Sequence, residues 1–335
     1  MKKKNILIIG SNEFFSLEKM YSRAFKSLGC KVNIYHAYDI RKSLIRRISW
    51  KFLRFFYFIK LRSNLINFFK KNKTKYDLVI VFKGIYLNSE TILNCKDKSK
   101  TSKWINIYSD DPFNISYFKD ISNKTTLESL NSYDFFFIWS KKIANISKTI
   151  INKNKISYLP FAYDKHLHKI SKKTKKKYDI SFIGTADKLR YETLKQLNNF
   201  KVLIAGDGWK YKKFPENFTI LPKVNAKLSS KVCSQSKICL NLLRPQNIGS
   251  HNMKTFEIPA MGGLLLTKRS KEQNNFFPEN IASLMYGNSK EIIKKINLIL
   301  VNDKLAQKIK HNAKKRLKFN SYEDRSKYIL ERIEN

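Results

Sequence analysis

No two cysteines of this chain form a CxxC pair. The four present, Cys30, Cys95, Cys233 and Cys239, have no zinc-ligand spacing with the five histidines. They read as reduced, small apolar residues of a cytosolic protein. No run approaches the roughly 18 apolar residues of a membrane span. The opening MKKKNILIIGSNEFF has a basic start, but its apolar run is only about five residues long, so no signal peptide is expected. Neither GxGxxG nor GxxxxGK[ST] occurs, which argues against dehydrogenases and P-loop enzymes. No DxD-type metal motif is evident, so no metal site is expected. Acidic residues are also scarce: 26 Asp+Glu against 67 Lys+Arg give a net charge of +41. That excess favours an anionic partner, whether nucleic acid, phospholipid headgroups or phosphorylated small molecules. Drift towards Lys, Asn and Ile on a solvated surface explains it equally simply.

What is present makes a packed protein. Hydrophobic residues are 42% and aromatics 13% of 335 residues, enough to exclude bulk disorder and to fill two cores. NILIIG (5–10), KVNIYH (31–36), YDLVIVFKG (76–84), KWINIYS (103–109), YDFFFIWS (133–140) and ISYLP (156–160) are short apolar runs with helical segments between them. Continuous apolar runs of this kind are buried parallel strands. After the charged stretch DKHLHKISKKTKKK (164–177) the pattern restarts with YDISFIG (178–184), KVLIAGDG (201–208), KICLNLL (237–243), GGLLLT (262–267) and IASLMY (281–286). The expected fold class is therefore α/β, two Rossmann-like doubly wound parallel-sheet domains facing an interdomain cleft. The expected divisions are a first domain over 1–163, a basic linker over 164–177, a second domain over 178–305, and C-terminal helices over 306–335 crossing back to the first domain.

Residues 41–75 stand apart, with twelve basic residues and no acidic one. Leu44, Ile48, Phe52, Phe55, Ile59, Ile66 and Phe69 fall near helical spacing. The segment suits either a core-packing helix with a solvated outer face or an amphipathic helix lying on an anionic membrane surface.

Candidate chemistry sits at strand ends. Gly10, Gly184, Gly206 and Gly208 close strands where backbone N–H groups could approach a phosphate. Arg190, in the helix after Gly184 and Thr185, could place a guanidinium over a diphosphate. Asp110 and Asp111 follow the strand KWINIYS and suit a general base towards an acceptor hydroxyl, or a helix cap. Glu13, after the first strand, is a second candidate base. His166 and His168 read as surface residues of the linker. Glu257 lies in a short apolar stretch, KTFEIPAMGG (254–263). A buried carboxylate costs several kcal/mol unless it is paired, so Glu257 needs exposure, an internal partner or a ligand.

With Ile183-Gly184, Arg190, AGDGW (205–209), KICLNLLRP (237–245), KTFEIPAMGG (254–263), YGNSKEIIKKI (286–296) and NSYEDR (320–325), the chain resembles the CgeB-type glycosyltransferases, which have the two-domain GT-B fold. Lys83-Gly84 and DDPF (110–113) are looser matches in the first half. The resemblance implies a nucleotide sugar held by the C-terminal domain as a substrate, with no cofactor, and an acceptor that is a glycan, a lipid-linked saccharide or a protein. Glu257 matches the glutamate that takes the donor ribose hydroxyls. Lys254 and Thr255 would then face the diphosphate, and Gly206, Gly208 and Trp209 would lie on the wall near the nucleobase. Gly249 stands where many retaining relatives carry a further glutamate, with His251 or Asn252 as replacements. The leaving-group charge would be met by Lys and Arg side chains and helix N-termini. The implied place is the cytoplasm, on the inner face of the membrane if 41–75 binds it. The alternatives are a nucleotide-sugar epimerase or a non-catalytic relative on the same fold, or a basic nucleic-acid-binding protein. Nucleic acid is not expected as a partner, because the basic residues are spread along the chain and no nucleic-acid module appears.

Overall fold

A computed structural model describes residues 3–37, 44–99, 101, 103–113, 121–172 and 174–334, with backbone alone for 44–55 and 121–124. The chain divides into two units, 1–160 with 325–335, and 161–324. Among the described residues no helix is long and apolar enough to cross a membrane.

Unit 1 holds β1 (Asn5–Gly10), α1 (Leu17–Ser27), β2 (Lys31–His36), α2 (Leu44–Lys71), β3 (Leu78–Phe82) and α3 (Ser89–Ser99). It continues through β4 (Lys103–Tyr108), α4 (Ile121–Ser129), β5 (Phe135–Ile138), α5 (Lys141–Ser147) and β6 (Ile156–Tyr158). The sheet order is β2-β1-β3-β4-β5-β6, with parallel pairs throughout. All five residues of β3 are buried, as the unbroken apolar run requires of a strand covered on both faces. Each such side chain contributes roughly 1.5–3 kcal/mol on burial. The order reverses between β1 and β3, and ligands of open parallel sheets bind beyond the carboxyl ends of strands at such a reversal.

Unit 2 holds β7 (Tyr178–Ile183), α6 (Lys188–Lys195), β8 (Val202–Ala205), β9 (Phe218–Leu221), α7 (Ala226–Gln235) and β10 (Ser236–Asn241). Next come α8 (Lys254–Ala260), β11 (Leu265–Lys268), α9 (Lys271–Phe276), β12 (Leu284–Tyr286), α10 (Ser289–Leu300) and α11 (Asp303–Arg316). A final helix, α12 (Tyr322–Glu334), begins in unit 2 and lies mostly in unit 1. The order β12-β11-β10-β7-β8-β9 is again all parallel and reverses between β10 and β7. Strand residues alternate between two cores. Ile180, Phe182, Ile238 and Leu240 pack with Leu194 of α6 and Ile292, Ile296 and Ile299 of α10. Cys239 and Leu265 face the other way, against Cys233 of α7 and Ile258 of α8.

Two expectations need correction. Residues 161–177 belong to unit 2, and His168 is buried there rather than at the surface. The apolar stripe of α2 also differs. Leu61, Leu65 and Phe69 are buried, whereas Phe56 and Ile59 are 67% and 46% exposed. The stripe positions Leu44, Ile48, Phe52 and Phe55 lie outside the described side chains.

Candidate functional site

In unit 2 the carboxyl ends of β7 and β8 are drawn together by glycine. A Cβ on Gly206 would lie 2.1 Å from the carbonyl oxygen of Gly184, and the φ of +148° is open only to glycine. That same carbonyl accepts from the indole Nε1 of Trp209 at 2.6 Å. Trp209 has no exposed surface and packs edge-on against Phe182. It therefore plugs the core beneath the turn, and no face of its ring is left for a nucleobase. Gly208, at φ +84°, and Thr185 remain accessible on the rim.

Arg190 is buried, and its guanidinium donates to the carbonyls of Leu242 (2.9 Å) and Thr185 (3.0 Å). It ties the end of β10 to the end of β7, so its role is to fix the two loops at the reversal. Beside it lies a cavity of about 170 Å³ lined by Leu189, Leu242, Lys268, Tyr286 and Asn288 among others.

The loop from β10 to α8 is held from behind. His251 has no exposed surface; its Nε2 accepts from the Phe161 N–H at 3.1 Å, and its Nδ1 meets Glu272 Oε2 at 3.0 Å. The imidazole hydrogen therefore lies on Nδ1. Ser250 donates to the same carboxylate oxygen at 2.9 Å. Asn252 exchanges amide hydrogen bonds with Asn241 at 2.9 and 3.0 Å, and its Oδ1 accepts from the Thr255 N–H at 3.3 Å. Thr255 is buried and donates to Gln273 at 2.8 Å. His251, Asn252 and Thr255 thus each hydrogen-bond within the protein, and Asn252 alone of the three is partly exposed. Glu272 and Gln273 on α9, which sequence reasoning missed, supply the buttress. The one signal for them was Ser270 three residues before Gln273, whose hydroxyl caps that helix at 3.1 Å.

Glu257 occupies the first turn of α8 and is 4% exposed. Its Oε2 receives the Lys254 ammonium at 2.6 Å, and its Oε1 lies 3.6 Å from His168 Nε2. Burial alone would raise its pKa; the Lys254 charge and the Lys254 hydrogen bond outweigh it and hold the carboxyl below its usual range. Glu257 is therefore ionised at neutral pH and has lone pairs left to accept ligand hydroxyls. Behind it, a Cβ on Gly263 would meet Cys239 Sγ at 2.8 Å and Ile258 Cγ2 at 2.9 Å. Glycine is what lets the chain turn from α8 into β11.

In unit 1 the turn after β1 is already filled. Glu18, on the first turn of α1, is buried and its Oε1 accepts from the Ser11 N–H at 2.9 Å. A Cβ on Gly10 would strike that carboxylate at 2.6 Å. The backbone N–H that a phosphate would need thus carries the protein's own anion. Glu13 is exposed on the same loop.

Two loosely matched motifs do meet here. Lys83, at a φ of +60°, pairs its ammonium with the Asp110 carboxylate beyond the carboxyl ends of β3 and β4. A left-handed conformation at a non-glycine residue is strained and is retained where the surroundings enforce it. Asp111 turns away and accepts from the Phe113 N–H at 2.9 Å, capping its own turn. The two aspartates therefore differ: one faces a cation at the sheet edge, the other is spent on backbone. Among the described residues no cluster of three or more His, Cys, Asp or Glu side chains could hold a metal ion.

Twin parallel sheets, each with one reversal, are the architecture expected of the GT-B fold, and a buried glutamate lies on the helix beyond the reversal of unit 2. Residues 188–331 match the family model described as glycosyl transferase-like. No curated protein matches the chain by sequence. Among solved structures, sucrose-phosphate synthase from Thermosynechococcus elongatus aligns at TM-score 0.71 and 10% identity, covering 98% of each chain. HepE of Anabaena, in complex with UDP and glucose, aligns at 0.67 and 10%, covering 99% of each. TarM aligns at 0.63 and 14%, covering 82% of this chain, which spans 58% of TarM's length.

Proposed function

We propose that the protein is a glycosyltransferase that takes its sugar from a nucleoside-diphosphate donor bound to unit 2. The observation that carries this reading is Glu257, buried yet ionised on the first turn of α8, within the region matching the glycosyl transferase-like model. A carboxylate in that state suits vicinal ribose hydroxyls, because charge-assisted hydrogen bonds are the stronger kind. HepE, which shares the fold, was solved with UDP and glucose. The motifs AGDGW and KTFEIPAMGG favour the CgeB type within this class, with a glycan, lipid-linked or protein acceptor. The donor is a substrate and no cofactor is called for. Lys254 and neighbouring cations meet the diphosphate charge, so activity is expected to persist in EDTA.

A melting panel of UDP-, GDP- and dTDP-sugars tests the reading, since a ligand of the folded state at 100 times its Kd adds about 2.7 kcal/mol of apparent stability. No shift with any of them would reject it. Asp110 is the proposed base towards the acceptor. Asp110→Asn is expected to lower turnover by about 100-fold or more while leaving the donor-induced shift in place.

The outward face of α2 carries the exposed Phe56 and Ile59 beside Lys60, and this favours peripheral binding to an anionic leaflet from the cytoplasmic side. Flotation with anionic vesicles is expected to weaken with salt and when Arg46, Arg47 and Lys51 are neutralised. Equal recovery with neutral vesicles would remove the membrane from the account.

A further inference from the structure

The chain enters unit 2 at Phe161 and at once makes a small closed turn, DKHLH (164–168). The Asp164 carboxylate is buried and accepts from the N–H groups of His166 (2.8 Å) and Leu167 (3.2 Å). The His168 N–H closes the turn on the Asp164 carbonyl at 2.8 Å. The Asp164 N–H donates to His168 Nδ1 at 3.0 Å. An imidazole nitrogen that accepts cannot carry the ring hydrogen, so in the neutral ring that hydrogen is on Nε2. Nε2 is the atom that faces Glu257, 3.6 Å from Oε1. Two residues on, the Ile170 side chain lies where a Cβ on Gly262 would meet it at 3.4 Å. The segment thus touches α8 at its first turn and just beyond its last.

The geometry points to His168 as a positioning residue for Glu257. Lys254 holds Oε2 at 2.6 Å and fixes one end of the carboxylate; a single partner leaves rotation about the terminal bond open, since that torsion is broad. The His168 N–H dipole faces the other oxygen and biases its orientation electrostatically. At 3.6 Å it is longer than a hydrogen bond, so Oε1 keeps its lone pairs for a ligand while its direction is set. A lysine in the same place would take those lone pairs; a neutral, backbone-locked imidazole does not. This inference rests on Glu257 being the ribose-binding carboxylate.

Two substitutions separate positioning from packing. His168→Asn keeps an acceptor near Nδ1, and with it the turn, but removes the distal N–H. His168→Gln keeps a distal N–H near Nε2 and gives up the turn acceptor. UDP and GDP are titrated into the full chain calorimetrically, alongside their 2′,3′-dideoxy forms. His168→Asn is expected to lose about tenfold in affinity for whichever ribonucleotide binds, with His168→Gln within about twofold of the parent. The dideoxy forms are expected to show no difference between the variants. Parental affinity in His168→Asn, equal losses in both variants, or the same loss with dideoxy nucleotides would overturn the inference. Glu257→Gln in the same titrations separates the two levels. If it binds like the parent, the ribose site and His168's role fall together. If it alone loses affinity, only His168's role falls. A melting curve for each variant confirms that the folded protein is being titrated.

Discussion

Glu257→Ala is expected to lower nucleotide affinity by about 100-fold, corresponding to about 2.7 kcal/mol, the value of one or two charge-assisted hydrogen bonds to ribose. Isothermal titration against the parent measures it. The structural basis is the state of the carboxylate rather than its presence. It is buried, in contact with Lys254, and held ionised although burial alone would favour the neutral acid. A group with a depressed pKa contributes stability above the ordinary glutamate range and loses it as pH falls through the folded value. Donor binding should follow the same course, staying level through the usual carboxylate range and failing only in stronger acid. Loss of binding near the ordinary glutamate pKa would show that Lys254 does not hold the charge. Removing the side chain also strands the Lys254 ammonium, which is 27% exposed; water can reach it, so the fold is expected to survive.

Gly206→Ala is the second large effect, on folding rather than binding. The new Cβ would lie 2.1 Å from the Gly184 carbonyl oxygen and 3.3 Å from the Thr185 nitrogen. Both are backbone, at the ends of paired strands, so neither can swing aside. The expected cost exceeds about 4 kcal/mol, in the range reserved for overpacking and backbone strain together. Urea unfolding of unit 2 reads it. Gly249→Ala is the matched control: its φ of +83° is also left-handed, but nothing lies within 4 Å of the added carbon. It should cost only about 1–2 kcal/mol. Similar losses in the two variants would mean that the β7–β8 closure contributes nothing special.

The fold was legible because parallel strands buried on both faces must be apolar throughout, and eleven such runs stand between helical segments. The strand that went unread, β9 (Phe218–Leu221), lies at a sheet edge with only Phe218 buried, so its sequence FTIL carries a weak signal. In the site, Glu257 was legible because a lone carboxylate in an apolar stretch demands an explanation. His168 was not. It sits in a lysine-rich stretch and its partner stands 89 positions away, so nothing local marks it as buried. Arg190, Trp209, His251 and Thr255 were found, but the internal hydrogen bonds each one makes were not legible. Side chains that shape a binding loop sit at the same sequence positions as those that touch a ligand, and only the partners each one finds in the fold separate the two. Lys83 and Asp110 lie 27 residues apart, and the adjacency of β3 and β4 joins them.

The length of α2 has a mechanical consequence. Its 28 residues span about 42 Å, whereas α3, the helix it packs on, has 11 and spans about 16 Å. The described buried anchors, Leu61, Leu65 and Phe69, all fall in its second half. The same half carries Arg62, whose guanidinium holds the Tyr86 carbonyl at 2.6 Å, two residues beyond Gly84, so any displacement of this half of α2 is passed to the loop that carries Lys83.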